Sequence, residues 1–312
     1  VKEDMISFCE SERTNSRGVL MRNRRTVKNR ILEIVKKIEG VRDGHFHYTE
    51  LVKRAEYIEG EFAAYGFRVE RDEFPFQGRL HWNIIATPAG AEESEERILI
   101  GAHYDAVMDS PGADDNASGV AVMLEAARSL GPRKGLQFAA FTLEEPQAET
   151  VSFLIGSRHF AKRMKSLGQR YRAVFILESV GYISHEPESQ LLPPFVKAPK
   201  VGDFIGVVGN KKAEDIMARF KDAALAHVPG LRVVAHRTLL RGFLVVEARF
   251  SDHAPFWDAG YPAVMITDTA MFRNPNYHSR HDTSETLSPD FMAQVAAALI
   301  HTVEVLLKDR RV

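Results

Sequence analysis

The sequence predicts an α/β protein, a single three-layer α/β/α sandwich around a mixed, mostly parallel central sheet. Three observations carry this. Apolar runs at 98–102, 136–143 and 173–177 have the length of strands buried on both faces, and stretches able to form helices separate them. The 312 residues, 45% hydrophobic and 27% charged, are enough to bury one large core. No Pro/Ser-rich or low-complexity stretch offers a linker, so 22–312 reads as one domain behind an N-terminal extension over 1–21.

The first two helices are expected at 22–39 and 48–65, where apolar positions recur at helical spacing and a Gly follows each segment. The basic cluster Arg22, Arg24, Arg25, Lys28 and Arg30, next to Ile31, Ile34, Val35 and Ile38, reads as the solvated face of a surface helix. A membrane-surface contact is the lesser reading of that cluster. Phe67–Phe76 alternates partly, as an edge strand does, and His81–Thr87 is a second short strand. Between the three buried runs lie helices at Ser118–Leu130 and Ser157–Leu167. Later strands fall at Phe204–Val208 and Ala263–Thr267, and a last helix runs from about Pro289 to Lys308 with Ser288 as its cap. The stretch 181–202 contains Pro187, Pro193, Pro194 and Pro199 and reads as an irregular rim or lid.

A net charge of −1 lacks the footprint of a nucleic-acid binder. The lone Cys9 excludes an internal disulfide framework and a Cys-rich metal site. No integral membrane segment is expected, since no long apolar span stands out and the segment beginning Val1-Lys2-Glu3 is not a signal peptide. Cytoplasmic residence and secretion after removal of a signal sequence both stay open.

In open α/β sheets ligands bind beyond the carboxyl ends of the strands. There the three runs deliver His103-Tyr104-Asp105, Glu144-Glu145 and Glu178 to one edge. Unpaired carboxylates in such a place are costly to desolvate, and a divalent cation is the simplest compensation. Asp114-Asp115-Asn116 stands directly before a helix; alone it would be a cap and a turn, but its place between acidic strand ends points to metal binding. A later loop offers His278, His281 and Asp282. On a regular strand Glu144 and Glu145 would point to opposite faces, which favours one ligand and one non-ligand base. Other patterns fail: Gly206–Lys211 lacks P-loop spacing, and no H-E-x-x-H or G-x-S-x-G occurs. The consecutive residues Ser251-Asp252-His253 cannot form a relay, and His45 and His47 read as structural.

Together, Gly101-Ala102-His103-Tyr104-Asp105, the segment Pro111–Gly119, Glu144-Glu145, Gly156-Ser157, Leu177-Glu178, Ser251-Asp252-His253 and Tyr277-His278 with Asp282-Thr283 resemble the zinc peptidases of family M28 in residue type and order. The resemblance implies that 22–312 is a zinc-peptidase catalytic domain holding two Zn2+ ions. One ion would be held by His103, Asp115 and Glu178, the other by Asp115, Glu145 and His278, with Asp115 bridging. Glu144 would be the general base, and Asp105 would orient the His103 ring. The implied activity is aminopeptidase hydrolysis of a peptide or aminoacyl substrate with a free N-terminus, in a protein whose rim a second copy could complete as a homo-oligomer. Two departures stand out. Glu178 replaces the Asp of many members, which predicts altered spacing or one weakly held ion, and Pro146–Thr150 replaces the usual small residues in the pocket wall. The rival readings are a glutaminyl cyclase-like acyltransferase, a carboxypeptidase or other zinc amidohydrolase on the same scaffold, and a metal-free binding domain.

Overall fold

The computed structural model describes residues 25–92, 95–147, 152–193 and 196–309; the N-terminal extension over 1–21 lies outside them. A first helix, α1, covers 25–38. It is followed by α2 (Tyr48–Ala64), β1 (Arg68–Phe76), β2 (Arg79–Thr87), β3 (Arg97–His103), α3 (Gly119–Leu130), β4 (Leu136–Phe141), α4 (Ile155–Ser166) and β5 (Tyr171–Glu178). The chain continues through β6 (Phe204–Gly209), α5 (Glu214–His227), β7 (Arg232–Arg237), α6 (His253–Ala259), β8 (Ala263–Thr267) and α7 (Pro289–Lys308).

The strands form an 8-stranded sheet in the order β1-β2-β4-β3-β5-β8-β6-β7. Its centre, β4-β3-β5-β8, is parallel, as is the β6-β7 pair, whereas β1-β2, β2-β4 and β8-β6 are antiparallel. This is the mixed, mostly parallel sheet expected, with β1 at an edge. The expected strands and helices are present with ends shifted by a few residues. The elements α5, β7 and α6 were not anticipated.

Strand periodicity divides the core into two layers. Ile98, Ile100 and Ala102 of β3, with Phe138 of β4 and Phe175 of β5, face α1, α2, α3 and α7. Leu99, Ala139, Phe141, Val174 and Ile176 face the opposite side, against Phe160 of α4 and Phe256 and Trp257 of α6. Phe138 is fully buried, so truncation to Ala would cost about 3–5 kcal/mol.

Helix α7 begins as expected, with the Ser288 hydroxyl accepting from the Phe291 N–H. An 18-residue window of it reaches a mean hydropathy of 1.4, enough by length and composition alone to cross a membrane, but half of that window is buried inside the fold. In the fold it packs against α3 and α5, burying Phe291, Met292, Val295, Leu299 and Val303 in the core. The described part of 181–202 has no regular helix or strand. It is tied down by backbone bonds from Ser184 to Gly202, Gln190 to Lys200 and Leu191 to Phe272.

Candidate metal centre

His103 closes β3 and is completely buried. Its Nδ1 lies 3.5 Å from Asp105 Oδ1, which turns Nε2 toward the neighbouring strand ends. The Asp105 carboxylate also accepts the backbone N–H groups of Glu144 (3.1 Å) and Glu145 (3.2 Å). One buried carboxylate thus faces the imidazole and holds the chain carrying both glutamates. That chain leaves β4 at Phe141, and Leu143 adopts a left-handed conformation (φ 54°), so the regular-strand alternation ends before the pair. Each glutamate therefore reaches a different group of donors.

Asp115 sits in the turn 113–118 that leads into α3, and most of its neighbours build that turn. Asp282 accepts the N–H groups of Asp114 (2.9 Å) and Asp115 (3.1 Å). Asp114 accepts from Gly181 N–H and from the Asn274 side chain. Asn116 donates to Leu177 O and accepts from Ser179 N–H, which ties the turn to the end of β5. Gly112 has φ 59°, and a Cβ there would lie 2.4 Å from Asp115 O, so this approach needs glycine. Buried Arg42 donates to the carbonyls of Tyr104, Pro111 and Gly112, fastening the turn to the segment after β3.

The remaining donors arrive from β5 and from the late loop. Glu178 Oε1 is 3.4 Å from His103 Nε2, and its Oε2 accepts from the buried Ser251 hydroxyl at 2.7 Å. His278, stacked on Tyr277, places Nε2 3.1 Å from Asp115 Oδ2 and 3.2 Å from Glu145 Oε2. Asp115 Oδ1 lies 3.1 Å from His103 Nε2, so the two oxygens of Asp115 serve opposite sides. All seven residues singled out from the sequence, His103, Asp105, Asp115, Glu144, Glu145, Glu178 and His278, are therefore brought together. Two groups have the spacing of a metal site, His103/Glu144/Glu178 and Asp115/Glu145/His278.

The donor set suits divalent cations, and zinc accepts both imidazole and carboxylate ligands. Asp115 Oδ1 and Glu145 Oε1 are buried without a hydrogen-bond partner. Burial, then the Asp115 charge, pushes the Glu145 carboxyl up to about 7. Burial also pushes Glu144 well above the usual range, with Glu178 and Glu145 adding to the rise against the pull of His103. This crowding of acids is what a bound cation relieves.

The sequence motifs did not reveal the parts played by Ser251 and Arg42. Ser251 stands in a Ser-Asp-His run that invites a triad test, yet its hydroxyl serves Glu178, while His253 Nε2 meets Ala248 O. A lone Arg two residues after Gly40 gave no signal that it would bond the carbonyls of Gly40, Tyr104, Pro111 and Gly112. His281 is exposed and His47 pairs with Asp43, so neither joins the centre.

Beside Glu178 opens an apolar cleft whose walls include Phe204, Val208, Phe250, Met265 and Tyr277, with Leu191–Pro193 of the 181–202 segment on its rim.

The family model described as Peptidase family M28 matches residues 83–303. A relative from Escherichia coli K12, the uncharacterized protein YfbL, is 38% identical over 80% of this chain and 79% of its own length. A probable leucine aminopeptidase of Arthroderma otae is 31% identical over 75% of this chain but only 58% of its own length, so the chain spans well under two thirds of that relative. The fold recurs in the LapA aminopeptidase of Legionella pneumophila, with a TM-score of 0.68 and 17% identity over 89% of this chain and 71% of that one. It recurs also in Porphyromonas gingivalis glutaminyl cyclase, with a TM-score of 0.67 and 18% identity over 89% and 98% of the two chains. The matched span, the order of the motifs and the convergence of their side chains agree: the chain belongs to peptidase family M28.

Proposed function

We propose that this chain is a zinc-dependent aminopeptidase whose residues 22–312 form the catalytic domain. The observation that carries the reading is Asp115, with one oxygen facing His103 and the other facing His278, whose ring also meets Glu145. In this reading His103, Asp115 and Glu178 hold one ion, and Asp115, Glu145 and His278 hold the other. Two such ions, when bound, polarise a carbonyl and lower the pKa of a nearby water.

The chain's own residues do the rest. Glu144 is the one glutamate of the cluster without a partner within 3.5 Å among the described contacts, its nearest being His103 Nε2 at 3.9 Å. Its carboxylate takes a proton from the attacking water and returns it to the departing amine. Asp105 keeps His103 in one orientation, and Ser251 holds the outer oxygen of Glu178. The free amino group of the substrate lies near Glu178. Its terminal side chain enters the apolar cleft next to that residue, which favours large apolar residues. The 181–202 segment forms the rim.

Zinc-loaded protein assayed on free and N-blocked leucyl, alanyl, lysyl and N-terminal glutaminyl substrates tests this. Free leucyl substrates should be cleaved fastest and blocked ones hardly at all. Equal rates on blocked and free substrates, or cyclisation of the glutaminyl substrate without hydrolysis, would refute it.

A further inference from the structure

A second polar cleft, of about 570 Å³, opens at the N-terminal ends of β3 and β4 beneath α4. Arg97 and His103 stand at opposite ends of β3, so this cleft is roughly 20 Å from the metal centre at about 3.3 Å per residue. Thr87 at the end of β2, Gln137 at the start of β4 and Arg97 line it. All three face the α4 layer, because Ile85, Ala139 and Leu99, two residues along each strand, belong to the apolar cluster there.

Arg97 is only 7% exposed and Thr87 2%. The guanidinium donates one bond, from Nη2 to Glu92 O at 2.8 Å. Its Nε has no partner, and neither does the Thr87 hydroxyl. Among the described residues no carboxylate forms an ion pair with Arg97. The acids of the cleft are already committed, Asp72 to Arg163 (2.7 Å) and Asn83 (2.9 Å), and Glu70 to Arg68 (3.4 Å). Buried Arg42, by contrast, is satisfied by the carbonyls of Gly40, Tyr104, Pro111 and Gly112. Arg273 donates to Phe204 O, Tyr182 O and the Gln190 side chain, which leaves its Nη2 without a partner but the rest of the guanidinium bonded. A buried cation without a counter-charge is costly, and buried charges are ordinarily paired.

We propose that this cleft is a binding site for a small oxyanion, a phosphate or a carboxylate, held by the Arg97 guanidinium and the Thr87 hydroxyl. The guanidinium fork matches both anions, and the hydroxyl donates to an anion oxygen.

The test is the melting temperature of the zinc-loaded protein in inorganic phosphate or in acetate, at an ionic strength held constant with chloride. Phosphate taken up at the metal centre contributes equally to wild type and variants and cancels in the difference. Wild type should gain roughly 5 °C over chloride at an anion concentration about 100 times Kd. Arg97→Met should lose that gain. Thr87→Val, which keeps the cation, should bind about tenfold more weakly. A wild-type-minus-Arg97→Met difference that is greater in phosphate than in acetate identifies a phosphate ligand, and the reverse identifies a carboxylate. Equal gains in wild type and Arg97→Met would overturn the site. Should Arg97→Met not fold, an undiminished response in Thr87→Val would overturn it.

Discussion

Replacing Ser251 by Ala tests whether Glu178 is held for metal binding or merely lies near His103. The Ser251 hydroxyl is fully buried and donates to Glu178 Oε2 at 2.7 Å, leaving Oε1 to face His103 Nε2. A hydrogen bond to a charged acceptor in such a place contributes about 1.5–3 kcal/mol. If that energy goes into presenting Oε1 in one orientation, its loss weakens zinc binding by about ten- to a hundredfold, the range for residues that orient metal ligands. Competition with a chromogenic zinc chelator would read this as a selective loss of one of two ions. The turnover number at saturating zinc should fall far less than the zinc affinity. Unchanged or tighter zinc binding in Ser251→Ala would refute the reasoning, for it would mean that Glu178 needs no restraint or gains by rotating freely.

Glu144→Gln should keep both zinc ions by mass spectrometry and lower turnover by about 10²–10⁴, the range for loss of a general base; undiminished turnover would remove Glu144 from that role. Asp115→Ala should take zinc content from two ions toward none, because both proposed ligand sets share Asp115, and retention of one tightly bound ion would contradict the bridging role. A chelator should lower the melting temperature and added zinc should restore it, since uncompensated buried carboxylates destabilise the fold. Glu125 supplies a pH test far from the centre. Burial raises its carboxyl, but Arg128 and Arg30 outweigh that and hold it below its ordinary value of 4.5. Because its folded pKa is depressed, the stability it contributes is present above about pH 4.5 and is lost as the pH falls through the folded pKa. Urea titrations across that range should show a steeper acid loss in wild type than in Glu125→Gln, which should be roughly 1–3 kcal/mol less stable at neutral pH.

Much of the fold was legible because β3, β4 and β5 are buried on both faces, so their runs were mostly apolar and their acidic ends conspicuous. Strand β7 was not, because it is an edge strand whose Arg232–Arg237 sequence is half exposed and carries no clean alternation. Helix α6 was hidden by its shortness and by the Ser-Asp-His run before it. At the centre, strand ends pointed to His103, Asp105, Glu144, Glu145 and Glu178, whereas the choice of Asp115 over Asp114 and of His278 over His281 rested on the resemblance to family M28. The turn at Leu143 was not readable, because a left-handed leucine leaves no mark in composition. Nor was the Ser251 clamp, which joins residues 73 positions apart.

The loop 274–282 does two jobs at once, presenting His278 and, through Asn274 and Asp282, pinning the turn that carries Asp115. These pins bridge 160 to 168 positions of sequence. A chain ending before residue 274 would hold the Asp115 turn only through Arg42 and the end of β5, and would lack both the Asp282 carboxylate that fixes its backbone and the His278 ring that faces it.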